Sequence, residues 1–189
     1  MSIQSLVLLS GPVAVGKTSV RNSLVDAYGF QYVRSSAYLS GLLSKQSLHD
    51  TRLSLQDLGD ELDHRTDYRW VLDEVARPGI DALPQQKLWL IDAVRKARQI
   101  EHFREAFGSS IIHVHLTADE AVLSQRYASR LTPTGDTTSY ATAIQHDNEI
   151  ASRGLMALAD LVVDTGVQSP EEVARKIVSA LAERAQRKC

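Results

Sequence analysis

Cysteine is almost missing from this chain of 189 residues: the only one, Cys189, is the last residue. No intrachain disulfide can form, a disulfide-stapled fold is excluded, and a thiol at that position is a poor candidate for nucleophilic catalysis. Long apolar runs are also missing. None approaches the roughly 20 residues of a membrane helix, and MSIQSLVLLSG lacks the basic leader and the apolar core of a signal peptide. A soluble, cytoplasmic protein with no membrane partner is expected. Charge of one sign is not in excess: 21 Lys and Arg stand against 23 Asp and Glu, a formal charge of -2. No global positive field draws the chain to nucleic acid, so any anion it binds must be met locally. Repeats and low-complexity tails are absent as well. With 43% hydrophobic and 23% charged residues, the composition is that of a globular protein and excludes collagen-like or mainly disordered chains. The length suffices for one core that buries roughly 70% of the unfolded surface, and 1–189 is expected to be a single domain.

Short apolar runs alternate with helical periodicity. IQSLVLL at 3–9 reads as a strand and VRNSLVDAYG as a helix, with Val20, Leu24, Val25 and Tyr28 at helical spacing. A short strand is expected at 30–34, and helices at 36–47, 52–63 and 66–77, the last stopped by Pro78-Gly79. KLWLIDAV has the unbroken apolar character of a strand buried on both faces. A helix at 96–106, a strand in SSIIHVHLTA, a helix at 118–130, a loop at 131–139, a helix around 137–157, a strand at 161–164 and a final helix opened by Pro170 complete the pattern. The fold class is therefore α/β, a three-layer fold with a parallel sheet between helices. The helical stretch at about 36–80 reads as an insertion over the sheet edge.

The strongest chemical signal is Gly11-Pro-Val-Ala-Val-Gly16-Lys17-Thr18, which fits G-x-x-x-x-G-K-[ST] and lies between a strand and a helix. Glycines let the backbone curl until its N–H groups face a phosphate, and the helix N-terminus adds partial positive charge. Nucleotide contacts are expected from Gly11, Val13, Ala14, Val15, Gly16, Lys17, Thr18 and Ser19. Lys17 is expected to span the β- and γ-phosphate oxygens of ATP, and the Thr18 hydroxyl to ligate Mg²⁺.

Asp92 ends KLWLID, where carboxyl ends of parallel strands open toward ligands. Its carboxylate is a candidate to arrange Mg²⁺ or, with a hydroxyl acceptor, to act as base; Arg95 follows within reach of the same cleft. Arg52, Gln56, Arg65 and Arg69 are candidate acceptor contacts, because guanidinium groups match phosphate oxygens in bidentate geometry. Arg126 and Arg130, four apart and so on one helix face, flank LTPTGDTTS together with the more distant Arg153. This stretch, about 118–150, reads as a lid whose Arg126 and Arg130 neutralise charge on the transferred phosphoryl group and whose Arg153 reaches substrate. His113 and His115 alternate along one strand face and, without a third ligand at suitable spacing, are read as structural. Trp70, Trp89 and Tyr127 are read as core or cleft walls.

With these residues in view, the sequence resembles the P-loop nucleoside and nucleotide kinase superfamily. GPVAVGKTS resembles its ATP loop, LIDAVR its strand-end acidic motif, YASR its lid helix, and LQDLGDELDHRTDYRW the acceptor region of phage-type deoxynucleotide kinases. The resemblance implies a central five-stranded sheet in the order 2-3-1-4-5 and, from ALADLVVDTG, an adenine bordered by Asp164, Thr165 and Gly166, while the lack of a cysteine cluster in the lid departs from zinc-bearing members and points to a short lid without structural metal. The expectation is ATP- and Mg²⁺-dependent phosphoryl transfer to a small nucleotide such as a (deoxy)nucleoside monophosphate. An ATP-driven regulatory protein and a kinase acting on modified nucleotides in DNA are the alternatives.

Overall fold

The structure is a computed structural model that describes residues 3–49, 51–129 and 139–186. Five parallel strands form one sheet in the order β2-β3-β1-β4-β5, with β1 at Ser5–Ser10, β2 at Gln31–Val33, β3 at Leu88–Ile91, β4 at Ile111–Thr117 and β5 at Leu161–Asp164. The strand order expected from the resemblance is observed. β1 sits at the centre and is buried along its whole length. Its alternation sends Leu6 and Leu8 into one core layer and Val7 and Leu9 into the other.

The first layer is closed by α2 (Ser35–Lys45), α3 (Arg52–Arg65) and α5 (Ala97–Phe107), with Leu43, Leu62, Ile100 and Phe103 packed on the sheet. The second is closed by α1 (Lys17–Tyr28) and α9 (Pro170–Gln186), which bring Val20, Leu24, Val173 and Ile177 against Val114 and Leu116. Pro170 opens α9, as read from the sequence, because the first helical position has no intrahelical hydrogen bond to lose.

Two helix boundaries differ from the sequence reading. Pro78-Gly79 does not stop a helix. Asp67 and Tyr68 take positive φ in a turn, a π-helical turn follows at Val71–Ala76, and α4 runs through the pair at Arg77–Ala82. The Arg77 N–H donates to the Leu72 carbonyl five residues back, and this widened turn relieves the clash that a proline ring makes in an ordinary α-helix. The helix expected around 137–157 is three pieces: α7 (Tyr140–Ala143), α8 (Asp147–Gly154) and a 3₁₀ turn at Leu155–Leu158. Two caps restart it. The Ser139 hydroxyl accepts from the Thr142 N–H at 3.1 Å, and His146 Nδ1 accepts from the Asn148 N–H at 3.2 Å. The remaining helix of this half, α6, spans Glu120–Ala128. Except for Ser139, the loop read at 131–139 lies outside the described residues.

No helix among the described residues is long and apolar enough to cross a membrane. The carboxyl ends of β1, β3 and β5 deliver the glycine loop, Asp92 and Thr165 to one edge of the sheet, the edge at which open parallel sheets bind ligands.

Candidate active site

The loop between β1 and α1 begins at a glycine for a steric reason. Gly11 has φ 139°, and a Cβ placed there would sit 2.5 Å from the Leu116 carbonyl oxygen. Ala14 (φ 63°) and Gly16 (φ 97°) are both left-handed, so the backbone turns its N–H groups inward in the manner of an anion-binding nest. Lys17 and Thr18 open α1, where the first N–H groups have no intrahelical acceptor. The Lys17 ammonium donates to the carbonyls of Gly11 and, at 3.0 Å, of Pro12. Ser19 turns away from the loop and lines the groove between α1 and α9.

On the β5 side, Thr165 ties three elements together. Its hydroxyl donates toward the Val15 carbonyl at 2.7 Å and lies 3.2 Å from the Thr117 carbonyl. The Arg126 guanidinium reaches the Thr165 hydroxyl at 3.1 Å and its carbonyl at 2.8 Å. Arg126, Thr165 and the loop are thus one hydrogen-bonded unit, and Gly166 closes the turn by donating to Asp164 at 2.7 Å. Arg130 lies outside the described residues, as does the side chain of Arg52.

Asp92 follows β3. One carboxylate oxygen accepts from the Tyr32 hydroxyl at 2.7 Å and the other meets the Arg21 guanidinium at 3.4 Å. Arg21 also stacks 4.6 Å from the centre of the Tyr32 ring. Burial, and then the neighbouring Asp92 carboxylate, push the Tyr32 hydroxyl up to about 12, so it stays a donor. Among the described residues no cluster of three metal-ligating side chains exists. Magnesium takes one or two protein oxygens and completes its shell with phosphate and water; the Thr18 hydroxyl and the Asp92 carboxylate are candidate donors of this kind.

Beyond Asp92 opens a pocket of about 430 Å³, lined by residues of α2 and α3, by Ala93, Arg95 and Gln99 after β3, and by Asn148. Its charged groups are Asp60 and Asp63, one turn apart on α3, and Arg95. Asp63 is 7% exposed, and one oxygen accepts from Trp70 Nε1 at 2.7 Å and Gln99 Nε2 at 3.0 Å. Burial raises its pKa, against the pull of those two donors. Asp60 accepts from the Asn148 amide at 2.8 and 3.1 Å. No described carboxylate pairs with the exposed Arg95 guanidinium.

Of the expected acceptor contacts, Gln56 and Arg95 line this pocket. Arg65 and Arg69 do not. Arg65 lies exposed beside Glu61 on the outer face of α3, and Arg69 is held by Asp73 at 3.1 Å and by His102 at 3.2 Å. Each is paired with a carboxylate four residues away, Glu61 within α3 for Arg65 and Asp73 in the following π-helical turn for Arg69. Arg153 is on the donor side, bonded to Glu120 at 3.0 Å, Glu149 at 3.3 Å and the Tyr140 hydroxyl at 3.1 Å.

Neither a family model nor a curated protein sequence matches the chain. Solved structures do. Shikimate kinase from Acinetobacter baumannii in complex with shikimate is 20% identical, with 96% of this chain and 94% of that one covered at a TM-score of 0.57. A gluconokinase from Sinorhizobium meliloti 1021 is 17% identical over 99% and 97% of the two chains, TM-score 0.52. The YorR protein of Bacillus subtilis in complex with phosphorylated GDP is 16% identical over 96% and 98%, TM-score 0.56. The fold is that of the P-loop kinases.

Within this P-loop kinase fold, several site residues escape a reading of the sequence. Arg21 carried a signal, since it falls four residues after Lys17 on the same face of α1. Asp60 and Asp63 stand three apart within a run already singled out, masked by the arginines around them. Tyr32, Asn148 and Glu149 had no local signal. Asn148 meets Asp60 across 88 residues of chain, and Glu149 meets the glycine loop across 136.

Proposed function

We propose that the protein is an ATP- and Mg²⁺-dependent kinase that phosphorylates a hydroxyl of a small polar acceptor held in the pocket beyond Asp92. The observation that carries this reading is the juxtaposition of a complete anion-binding loop with a separate pocket whose groups suit hydroxyls and an anion. Asp60 and Asp63 offer carboxylate oxygens to hydroxyl donors, and Arg95 offers to a carboxylate or phosphate a guanidinium that pairs with no carboxylate among the described residues. The solved structures of like fold that carry the names shikimate kinase and gluconokinase support a small hydroxylated acceptor.

The loop N–H groups and Lys17 hold the donor phosphates, and Arg126 carries charge from the lid side while staying tied to Thr165. The Thr18 hydroxyl would supply an oxygen to a bound Mg²⁺, which would neutralise phosphate charge, and with a hydroxyl acceptor Asp92 serves as the base. In the transfer, the acceptor oxygen forms a bond to the γ-phosphorus as the bond from that phosphorus to the β–γ bridging oxygen breaks, releasing ADP. The acceptor proton passes to Asp92, which Tyr32 and Arg21 hold in place and which precedes Ala93 of the pocket lining.

A nucleoside monophosphate is the second reading. Gln56 and Arg95, both in the pocket, are able to take a base edge and a phosphate, and the YorR structure holds a phosphorylated guanine nucleotide. Pairing of Arg65 with Glu61 and of Arg69 with Asp73 leaves this reading with fewer cations than a phosphorylated acceptor calls for. A coupled ADP-release assay with Mg·ATP tests both, using cyclic and open-chain hydroxy acids, neutral sugars, nucleosides and nucleoside monophosphates, with product mass and a Lys17→Ala control. One hydroxylated acceptor phosphorylated by the wild type alone establishes the first reading. Phosphorylation of monophosphates alone establishes the second, and ADP release indifferent to every acceptor overturns both.

A further inference from the structure

Helix α8 touches both halves of the site at once. Toward the donor loop, the Glu149 carboxylate accepts from the Val13 N–H at 2.8 Å, and the Ser152 hydroxyl donates to the Gly11 carbonyl at 3.1 Å. Toward the acceptor pocket, the Asn148 amide covers both oxygens of Asp60, and His146, the cap of α8, contacts Gln56. Neighbouring residues of one short helix thus bind a backbone N–H of an anion-binding loop and the acidic wall of the pocket.

Glu149 sits where its chemistry is telling. Its side chain is 13% exposed, and its carboxylate is an anion on a loop N–H built to receive one. Arg153, one helical turn away, balances it at 3.3 Å and is itself held by Glu120 and Tyr140 of α6 and α7. A triphosphate that takes the Val13 N–H must expel a like-charged group from it, and Ser152 ties the same helix to the Gly11 carbonyl, so a loop that closes on phosphate pulls on the helix that also carries Asn148.

We propose that α8 is a two-sided latch: Glu149 stands in for a nucleotide phosphate on the loop, and its displacement draws Asn148 off Asp60, so that the nucleotide opens the acceptor wall. The inference rests on the nucleotide-site reading above and adds its regulation. Because coupling between sites is reciprocal, the latch is measurable from the nucleotide side alone, with no acceptor in hand. Any change at Asp60 that loosens α8 must strengthen nucleotide binding, although Asp60 is on the opposite wall.

The test is titration calorimetry of the full chain with Mg²⁺ and a non-hydrolysable ATP analogue, on wild type, Glu149→Gln, Asp60→Asn, Asn148→Ala and Lys17→Ala, with thermal melting to confirm folding. A hydrogen bond to a charged group is strong enough for Glu149→Gln to tighten the analogue about five- to twenty-fold. Asn148→Ala and Asp60→Asn should each tighten it about two- to five-fold. Glu149→Ala, which removes the acceptor atom altogether, is the second variant and should match or exceed Glu149→Gln. Unchanged affinity in both Glu149 variants overturns the latch on the loop. Tightening in these but not in Asp60→Asn or Asn148→Ala overturns the link to the acceptor wall. Loss of binding in Lys17→Ala separates either result from failure of the nucleotide-site reading, which Lys17→Ala binding like wild type would instead signal.

Discussion

Acidification should destabilise this protein through two histidines beneath the glycine loop, and hydrogen-bond partners set how. His113 Nδ1 lies 3.2 Å from the Leu158 carbonyl, an oxygen that only accepts, so that nitrogen carries the hydrogen and Nε2 is bare. Nε2 therefore accepts from the Ser10 hydroxyl at 2.7 Å, and the Ser10 oxygen, whose one hydrogen is so engaged, accepts from the His115 Nδ1–H at 2.9 Å. Every member is neutral and each tautomer is fixed. Burial first, then His113 and the Lys17 charge, lower the His115 pKa from 6.5 to about 4, and burial lowers that of His113 as well. The unfolded chain thus binds more protons than the folded one between those values. Stability is fully present above about pH 6.5 and falls as pH drops toward 4. For His115 alone the loss between pH 7 and pH 5 is about 2 kcal/mol, or roughly 4–8 °C in melting temperature for a chain of this size. Thermal melts followed by circular dichroism at steps from pH 7.5 to 4.5 should show that drop in wild type. His115→Asn, whose amide keeps the donor to Ser10 but does not titrate, should flatten it. Parallel curves for the two proteins would refute the reasoning, because the carboxylates common to both would then account for all of the pH dependence.

Gly11→Ala should cost at least about 2 kcal/mol of stability, since its methyl meets the Leu116 carbonyl at 2.5 Å in a backbone region unsuited to it; urea denaturation measures the change. Thr165→Val removes the hydroxyl that serves Val15, Thr117 and Arg126, and should lose about 1–3 kcal/mol while weakening nucleotide binding, as read by melting and calorimetry. Asp63→Asn should leave the melting temperature at pH 7 unchanged or slightly raised, because its folded pKa lies above the ordinary value and its charge is a cost at neutral pH. The same variant should lose turnover of the hydroxylated acceptor in the ADP-release assay. Phe103→Ala, emptying a fully buried site beneath α5, should cost about 3–5 kcal/mol in urea denaturation.

The sequence carried the parts of this molecule that local rules determine. The glycine loop is a contiguous motif whose steric and electrostatic reasons are complete within eight residues, and Pro170 and Gly108 mark helix ends through their own covalent geometry. The acceptor side was legible only as a region. Charge composition singled out residues 52–70 but could not say that Arg65 pairs with Glu61 and Arg69 with Asp73 while Asp60 and Asp63 turn inward. Which side of α3 faces the sheet is decided by Leu58 and Leu62 in the core, a tertiary outcome. Glu149 was beyond reach for the same reason: nothing within its own helix distinguishes it from any solvated glutamate, and only the return of α8 across the sheet edge sets it on Val13.

The wide turn at Val71–Ala76 bears on how chain length can vary in such a protein. A π-helical turn is an α-helix carrying one residue more than its pitch needs, so losing one residue there lets the flanking segments keep their facing. Removing a residue from an ordinary stretch of α-helix instead rotates everything downstream by about 100°, which for α5 would turn Ile100 and Phe103 out of the core. A deletion between Val71 and Ala76 is therefore the change in helix length that this scaffold absorbs most readily, and an alignment with proteins of the same fold should open its gap there.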